Sequence, residues 1–266
     1  MKKEKISAKS NLITEENIHT YENPLKGKTC IISGGTTGIG RAAALLLASY
    51  GVKLIIFGRH KKELSDALSD IEQACSDGGE VIGMICDQAD SGDVKKVFKK
   101  AEQLWKTLDF MINNAALAAD GILDMKPKDL RYIINSNLTG YIECAMYAAQ
   151  RMKKQGGGHI INIGSMSADE REAGSSVYVA TKSAIQGFTE SIRKELNPGG
   201  IKISLIEPGR VGTDMQEEPP QKQRKMEKDM EMLKAQDIAV AVYYILTQPA
   251  RCDVVEMKIR PVLQII

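Results

Sequence analysis

The chain has 266 residues, 43% hydrophobic and 26% charged, which suits one large core and excludes global disorder. Lys and Arg total 36 against 34 Asp and Glu, a formal net charge of +2, and that balance argues against a nucleic-acid or membrane-surface binder. The longest apolar runs, such as 42–48, fall far short of the ~20 residues that span a bilayer, so a soluble protein is expected.

Met1 to Lys26 is polar and charged, lacks the apolar run of a secretory signal, and reads as an extension ahead of a single domain over 27–266. From Lys28 onward, short β-branched runs alternate with helical patterns. The predicted strands are Thr29–Ser33, Lys53–Phe57, Glu80–Cys86, Leu108–Ile112, His159–Gly164, Ile201–Ile206 and Val254–Ile259. Between them apolar residues recur at helical spacing, as at Val94, Val97, Phe98 and Ala101. This alternation predicts an α/β fold, a doubly wound (Rossmann) parallel sheet of about seven strands with helices on both faces. The first six strands read as apolar runs covered on both sides. The seventh alternates, with Val255, Met257 and Ile259 against Glu256 and Lys258, and suits a half-exposed edge. The highly charged segment 216–234 contains Pro219-Pro220 and interrupts the alternation after the sixth strand. Ligands of such sheets lie beyond the carboxyl ends of the strands, so this segment is a candidate substrate lid. A solvated helix of mixed charge is the other reading.

The first strand runs into Ser33-Gly34-Gly35-Thr36-Thr37-Gly38-Ile39-Gly40, with a helical stretch directly after it. Glycines here permit positive φ and let backbone N–H groups and a helix N-terminus approach a pyrophosphate. No Lys-Ser or Lys-Thr pair follows, which excludes a nucleoside-triphosphate loop. The second strand ends at Phe57-Gly58-Arg59, where an Asp or Glu commonly holds the 2′-hydroxyl of NAD. A guanidinium attracts a 2′-phosphate instead, so Arg59 favours NADP over NAD. Asp87-Gln88, after the third strand, is placed to accept the adenine amino group, although an ordinary turn ahead of a helix would look similar. Tyr178 and Lys182 stand four apart, so on a helix their side chains share a face. Tyr147 and Arg151 repeat that spacing, and the pair gains meaning only from its company: Ser165 at the end of the fifth strand, Asn137 after Asn135-Ser136, and Asn113-Asn114-Ala115-Ala116 at the end of the fourth strand.

With these residues in order, the chain resembles the short-chain dehydrogenase/reductase family over essentially all of Lys28 to Pro261. It matches the family's T-G-x-x-x-G-x-G at Ser33 to Gly40, its N-N-A-G at Asn113 to Ala116 and its N-x-N-L-x-G at Asn135 to Gly140. Ser165 stands thirteen residues before Tyr178, Y-x-x-x-K is intact, and Pro208 to Met215 is similar to P-G-x-x-x-T-x-M. Ser33 for the usual Thr keeps the hydroxyl, whereas Ala116 for the usual Gly adds a methyl beside the cofactor. The stretches Arg171 to Tyr178 and Val255 to Pro261 are similar to NADP-dependent dehydrogenases of short 3-hydroxy acids such as serine.

The resemblance implies that Tyr178 gives a proton to the developing alkoxide, with Lys182 lowering the phenol from about 10 towards 7. It implies that Ser165 donates to the substrate carbonyl and that Asn137 holds a water in the proton path. It assigns the cofactor to Gly34, Thr36, Thr37, Gly38, Ile39, Gly40, Arg59, Asp87, Asn113, Ala115, Tyr178, Lys182, Pro208, Val211 and Thr213, the last two gripping the carboxamide. The function implied is hydride transfer between NADP(H) and a small carbonyl or secondary alcohol. A 3-oxoacyl-thioester reductase and a non-catalytic dinucleotide sensor are the alternatives. Family members are often homodimers or homotetramers, joined here through helices near Ile133–Lys153 and Tyr178–Leu196. Five scattered cysteines without a C-x-x-C pair fit reduced thiols in a cytoplasmic protein, and His19, His60 and His159 are too dispersed for a metal site. Trp105 is expected to pack ahead of the fourth strand, and Met226, Met230 and Met232 to pack the lid.

Overall fold

The computed structural model describes residues 23–264 of the chain. Its elements in chain order are β1 (Thr29–Ser33), α1 (Gly38–Ser49), β2 (Lys53–Gly58), α2 (Lys61–Ala74), β3 (Glu80–Ile85), α3 (Ser91–Leu104) and β4 (Phe110–Asn113). There follow α4 (Pro127–Ile134), a π-helical turn (Asn135–Thr139), α5 (Gly140–Gln155), β5 (Gly158–Ile163), the short α6 (Ser167–Glu170) and α7 (Ser176–Leu196). The chain closes with β6 (Ile201–Pro208), β7 (Val211–Gly212), α8 (Pro220–Lys228), β8 (Leu233–Lys234), α9 (Ala235–Leu246) and β9 (Glu256–Ile259).

Seven parallel strands form one sheet in the order β3-β2-β1-β4-β5-β6-β9. Alternation along each strand divides the core in two. Ile32, Ile56, Ile112 and Ile206 face α1, α2 and α9 through Leu47, Leu64 and Val242. Ile31, Ile55, Met111 and Ile160 face α3 and α5 through Val94, Phe98, Cys144 and Ala148. Fully buried strands with helices on both sides explain why the central runs read as continuous apolar segments. At β3 the expectation of two covered faces fails. β3 is the second edge, paired to β2 alone, only partly buried along its length, and Ile85 at its end is 58% exposed.

Most of the predicted N-terminal extension lies outside the described residues. Its last part is packed into the domain: Leu25 is fully buried in the core, and Lys26 pairs with Asp77 at 2.7 Å. Trp105 is buried where α3 ends, in the same cluster as Leu108. The charged excursion after β6 contains α8 and returns through β8, which pairs parallel with β7. Met226 on α8 and Met232 beyond it are buried, whereas Met230 is 54% exposed and takes a positive φ of 60°, so it does not pack as expected. Among the described residues, no helix is long and apolar enough to cross a membrane, and no group of three or more His, Cys, Asp or Glu is placed to hold a metal.

Candidate active site

A cavity of about 570 Å³ opens beyond the carboxyl ends of β1, β2, β4, β5 and β6, within the range of small-molecule and cofactor sites. β1 and β4, where the strand order reverses, are stitched together at its floor. The Ser33 hydroxyl accepts from the Asn114 and Ala115 N–H groups at 2.9 and 3.1 Å, and Asn114 Nδ2 donates to the Ser33 and Gly34 carbonyls at 3.1 Å. The turn above them needs its glycines: Gly34 and Gly38 take φ of 62° and 51°, and a Cβ on Gly40 would stand 2.2 Å from the Gly34 carbonyl oxygen. α1 starts from an extended Thr37 that offers no side-chain cap, and its first turn carries no acidic residue. The first N–H groups of α1 and its positive dipole end therefore suit an anion. A glycine-rich cradle closed by an uncapped helix fits the diphosphate of a dinucleotide.

Gly34, Thr36, Thr37, Gly38 and Ile39 line this cavity, while Gly40 packs beneath the turn. Arg59, Asp87, Ala115, Pro208, Val211 and Thr213 also line it. Asn113 does not. Fully buried, it donates to Asn162 Oδ1 at 2.9 Å and to the Tyr141 carbonyl at 3.2 Å, and its neighbour Asn114 takes the place at the wall. Both Asp87 oxygens have partners: Oδ1 accepts from Ala89 N–H at 2.9 Å and Oδ2 from the Tyr132 hydroxyl at 2.6 Å. Tyr132 Oη in turn accepts from Arg59 Nη1 at 2.5 Å, with the guanidinium 5.4 Å from the ring centroid. Sequence reasoning gave no hint of Tyr132, which comes from α4 and joins partners 45 and 73 residues away. Gln88 bridges the Ser136 and Ala115 carbonyls at 2.8 and 3.3 Å, and its Oε1 is left buried without a partner at the cavity wall.

Ser165, Tyr178 and Lys182 meet at the other end of the same cavity. Ser165 follows β5, and its Oγ accepts from the Ser167 N–H at 3.2 Å, which fixes the turn into α6. Tyr178 and Lys182 lie one turn apart on α7, the ammonium 5.7 Å from the Tyr178 ring centroid and 5.2 Å from that of Tyr141. Lys182 is 2% exposed, and its Nζ donates to the Ile163 carbonyl at 2.8 Å. Burial lowers it to about 7, with the negative charge of Glu207 pulling upward. Burial also holds the Tyr178 phenol above its ordinary value, opposed by its hydrogen bond with Ser165. The expectation that Lys182 depresses this phenol therefore meets a stronger effect, the loss of water around both groups. The Asn137 side chain is taken up by the loop after β4: Oδ1 accepts from Leu117 N–H at 2.8 Å and Nδ2 donates to the Leu117 carbonyl at 2.7 Å. It holds that loop rather than facing the cavity.

The excursion reaches the cavity through Gln216, next to Met215 just ahead of it. Gln223 on α8 donates to the Glu218 and Thr213 carbonyls at 2.7 and 3.3 Å, tying the helix to the cavity rim.

A family model described as short chain dehydrogenase matches residues 28–224. An uncharacterised oxidoreductase of Staphylococcus aureus strain USA300 is 34% identical over 239 residues, which cover 90% of this chain and 99% of the relative. One from Staphylococcus epidermidis is 32% identical over the same length and the same shares. Among solved structures, a double mutant of a Serratia marcescens short-chain dehydrogenase/reductase is similar with a TM-score of 0.78 and 27% identity, over 90% of this chain and 98% of that one. A Burkholderia cenocepacia short chain dehydrogenase in complex with NADP has a TM-score of 0.78 and 27% identity, over 89% and 98% of the two chains. A metagenomic short-chain oxidoreductase, also in complex with NADP, has a TM-score of 0.77 and 25% identity, over 90% and 99%.

Proposed function

Because the chain belongs to the short-chain dehydrogenase/reductase family of oxidoreductases, we propose that it moves a hydride between NADP(H) and a small carbonyl or secondary alcohol, with short 3-hydroxy acids as the substrate class. The reading rests on one observation: Ser165, Tyr178 and Lys182 share a single cavity with the glycine cradle. When bound, the reduced nicotinamide supplies the hydride. Tyr178 keeps its proton until a substrate oxygen gains charge, because burial raises its pKa, and then passes that proton to the oxygen. The Ser165 hydroxyl donates to the same oxygen and stabilises it as charge develops. Lys182, anchored on the Ile163 carbonyl and 5.7 Å from the Tyr178 ring centroid, stabilises in its protonated form the phenolate left behind. Thr213, Val211 and Pro208 would hold the carboxamide end, and Asn137 keeps the Leu117 loop in place at the wall.

The preference for NADP is supported by Arg59 at the cavity rim, directly after a β2 strand that itself carries no carboxylate. Two similar structures hold NADP. The substrate class is supported by the stretches Arg171 to Tyr178 and Val255 to Pro261. The excursion 216–234, tied down by Gln223, acts as the lid. We assign the assembly to a homodimer or homotetramer through α4, α5 and α7, supported by Ile134, Ile142 and Met146, which are 37–43% exposed on α4 and α5. Free thiols at all five cysteines support a reducing, cytoplasmic setting.

Tyr178→Phe is expected to lower kcat roughly a thousand-fold while leaving NADPH binding intact, measured as NADPH oxidation over a panel of short 3-oxo acids, semialdehydes and acetoacetyl thioester. Near-normal turnover in that variant would overturn the assignment. Turnover confined to the thioester would move the substrate class.

A further inference from the structure

We propose that Tyr132 is the positioning residue that sets Arg59 for the 2′-phosphate of NADP(H), and so helps decide which dinucleotide the chain selects. This deepens the reading of Arg59 given above and rests on it. Arg59 follows β2 as an exposed side chain, and a free arginine there would sample many rotamers, to be frozen only when a ligand arrives. Tyr132 freezes it beforehand in two ways. Its hydroxyl accepts from Nη1 at 2.5 Å, and its ring stands under the guanidinium, 5.4 Å from centroid to Cζ.

The direction of the bonds matters. A phenol has one proton to give, and Tyr132 gives it to Asp87 Oδ2 at 2.6 Å, which turns an oxygen lone pair towards Arg59. Asp87 is itself fixed, because Oδ1 accepts from the Ala89 N–H at 2.9 Å. The half-buried phenol thus stands between a carboxylate and a guanidinium that both line the cavity. Direct pairing with Asp87 would turn the guanidinium fork onto a carboxylate and occupy the donors a phosphate needs. A hydroxyl in between holds the cation while taking only one of the five guanidinium donors.

The test is titration of the full chain with NADPH and with NADH, followed by nucleotide fluorescence, so that no substrate is needed. Tyr132→Phe keeps the ring and removes the hydroxyl. It is expected to weaken NADPH about 5- to 10-fold, the range of one hydrogen bond to a charged group near the surface, with NADH unchanged. Arg59→Ala is expected to weaken NADPH further, and Tyr132→Phe added to it to change nothing more. An unchanged ratio of the two affinities in Tyr132→Phe, beside an altered ratio in Arg59→Ala, would overturn the role of Tyr132 and leave that of Arg59. An unchanged ratio in Arg59→Ala would remove both. Equal weakening of the two nucleotides by Tyr132→Phe would mark a structural part only and also overturn the proposal.

Discussion

Glu207 stands on β6 just before Pro208, fully buried, with neither carboxylate oxygen hydrogen-bonded and Lys258 Nζ 3.5 Å away. Burial outweighs that cation and pushes the carboxyl up to about 7. An unfolded glutamate ionises near pH 4.3, so between there and about 7 the unfolded chain releases a proton that the folded chain keeps, and stability falls as pH rises. Glu207→Gln removes that linkage. Thermal midpoints of the two proteins should agree at about pH 4.5 and separate by several degrees in the variant's favour by about pH 8; parallel curves would show that this carboxyl does not ionise at a cost. Residue by residue, the sequence was most readable where chemistry is local. Tyr178 and Lys182 announce a shared helix face, and Ser165 a strand end. Tyr132 was not readable, because its partners come from two other elements, and neither was the fate of the Tyr178 and Lys182 protons, which depends on how much water the fold removes.

Among the elements, the junction of α4 and α5 is tightly constrained. Its π-helical turn brings the Ser136 carbonyl to Gln88, and α5 begins with a glycine because Gln88 lies against it: a Cβ at Gly140 would be 2.3 Å from Gln88 Cγ and 2.5 Å from the Gln88 carbonyl oxygen. Gly140→Ala is therefore expected to destabilise the domain by ~1–3 kcal/mol through overpacking, read from the urea midpoint at an unchanged slope. A neutral result would mean that the loop after β3 yields freely. Strand positions followed from apolar runs to within about two residues. The second edge did not, since Val81, Ile82, Met84 and Ile85 look like a covered strand and only the spatial order sets β3 outside. The π-turn had no signal at all, as Asn135 to Thr139 is compatible with an ordinary helix.

Taken as a whole, the molecule places its candidate site on one rim of the sheet and leaves Ile134, Ile142 and Met146 exposed on α4 and α5. If Ile134, Ile142 and Met146 meet a second copy, Met146→Glu should shift the chain towards monomer in sedimentation analysis, since an unpaired charge in an apolar contact is costly; an unshifted mass would place the assembly elsewhere. The doubly wound architecture followed from alternation alone, because each strand–helix unit declares its own period. The β7–β8 pair did not, as two-residue strands carry no pattern. That small ribbon shuts the excursion at its neck, so residues between Gln216 and Met232 can change without re-registering any strand of the main sheet.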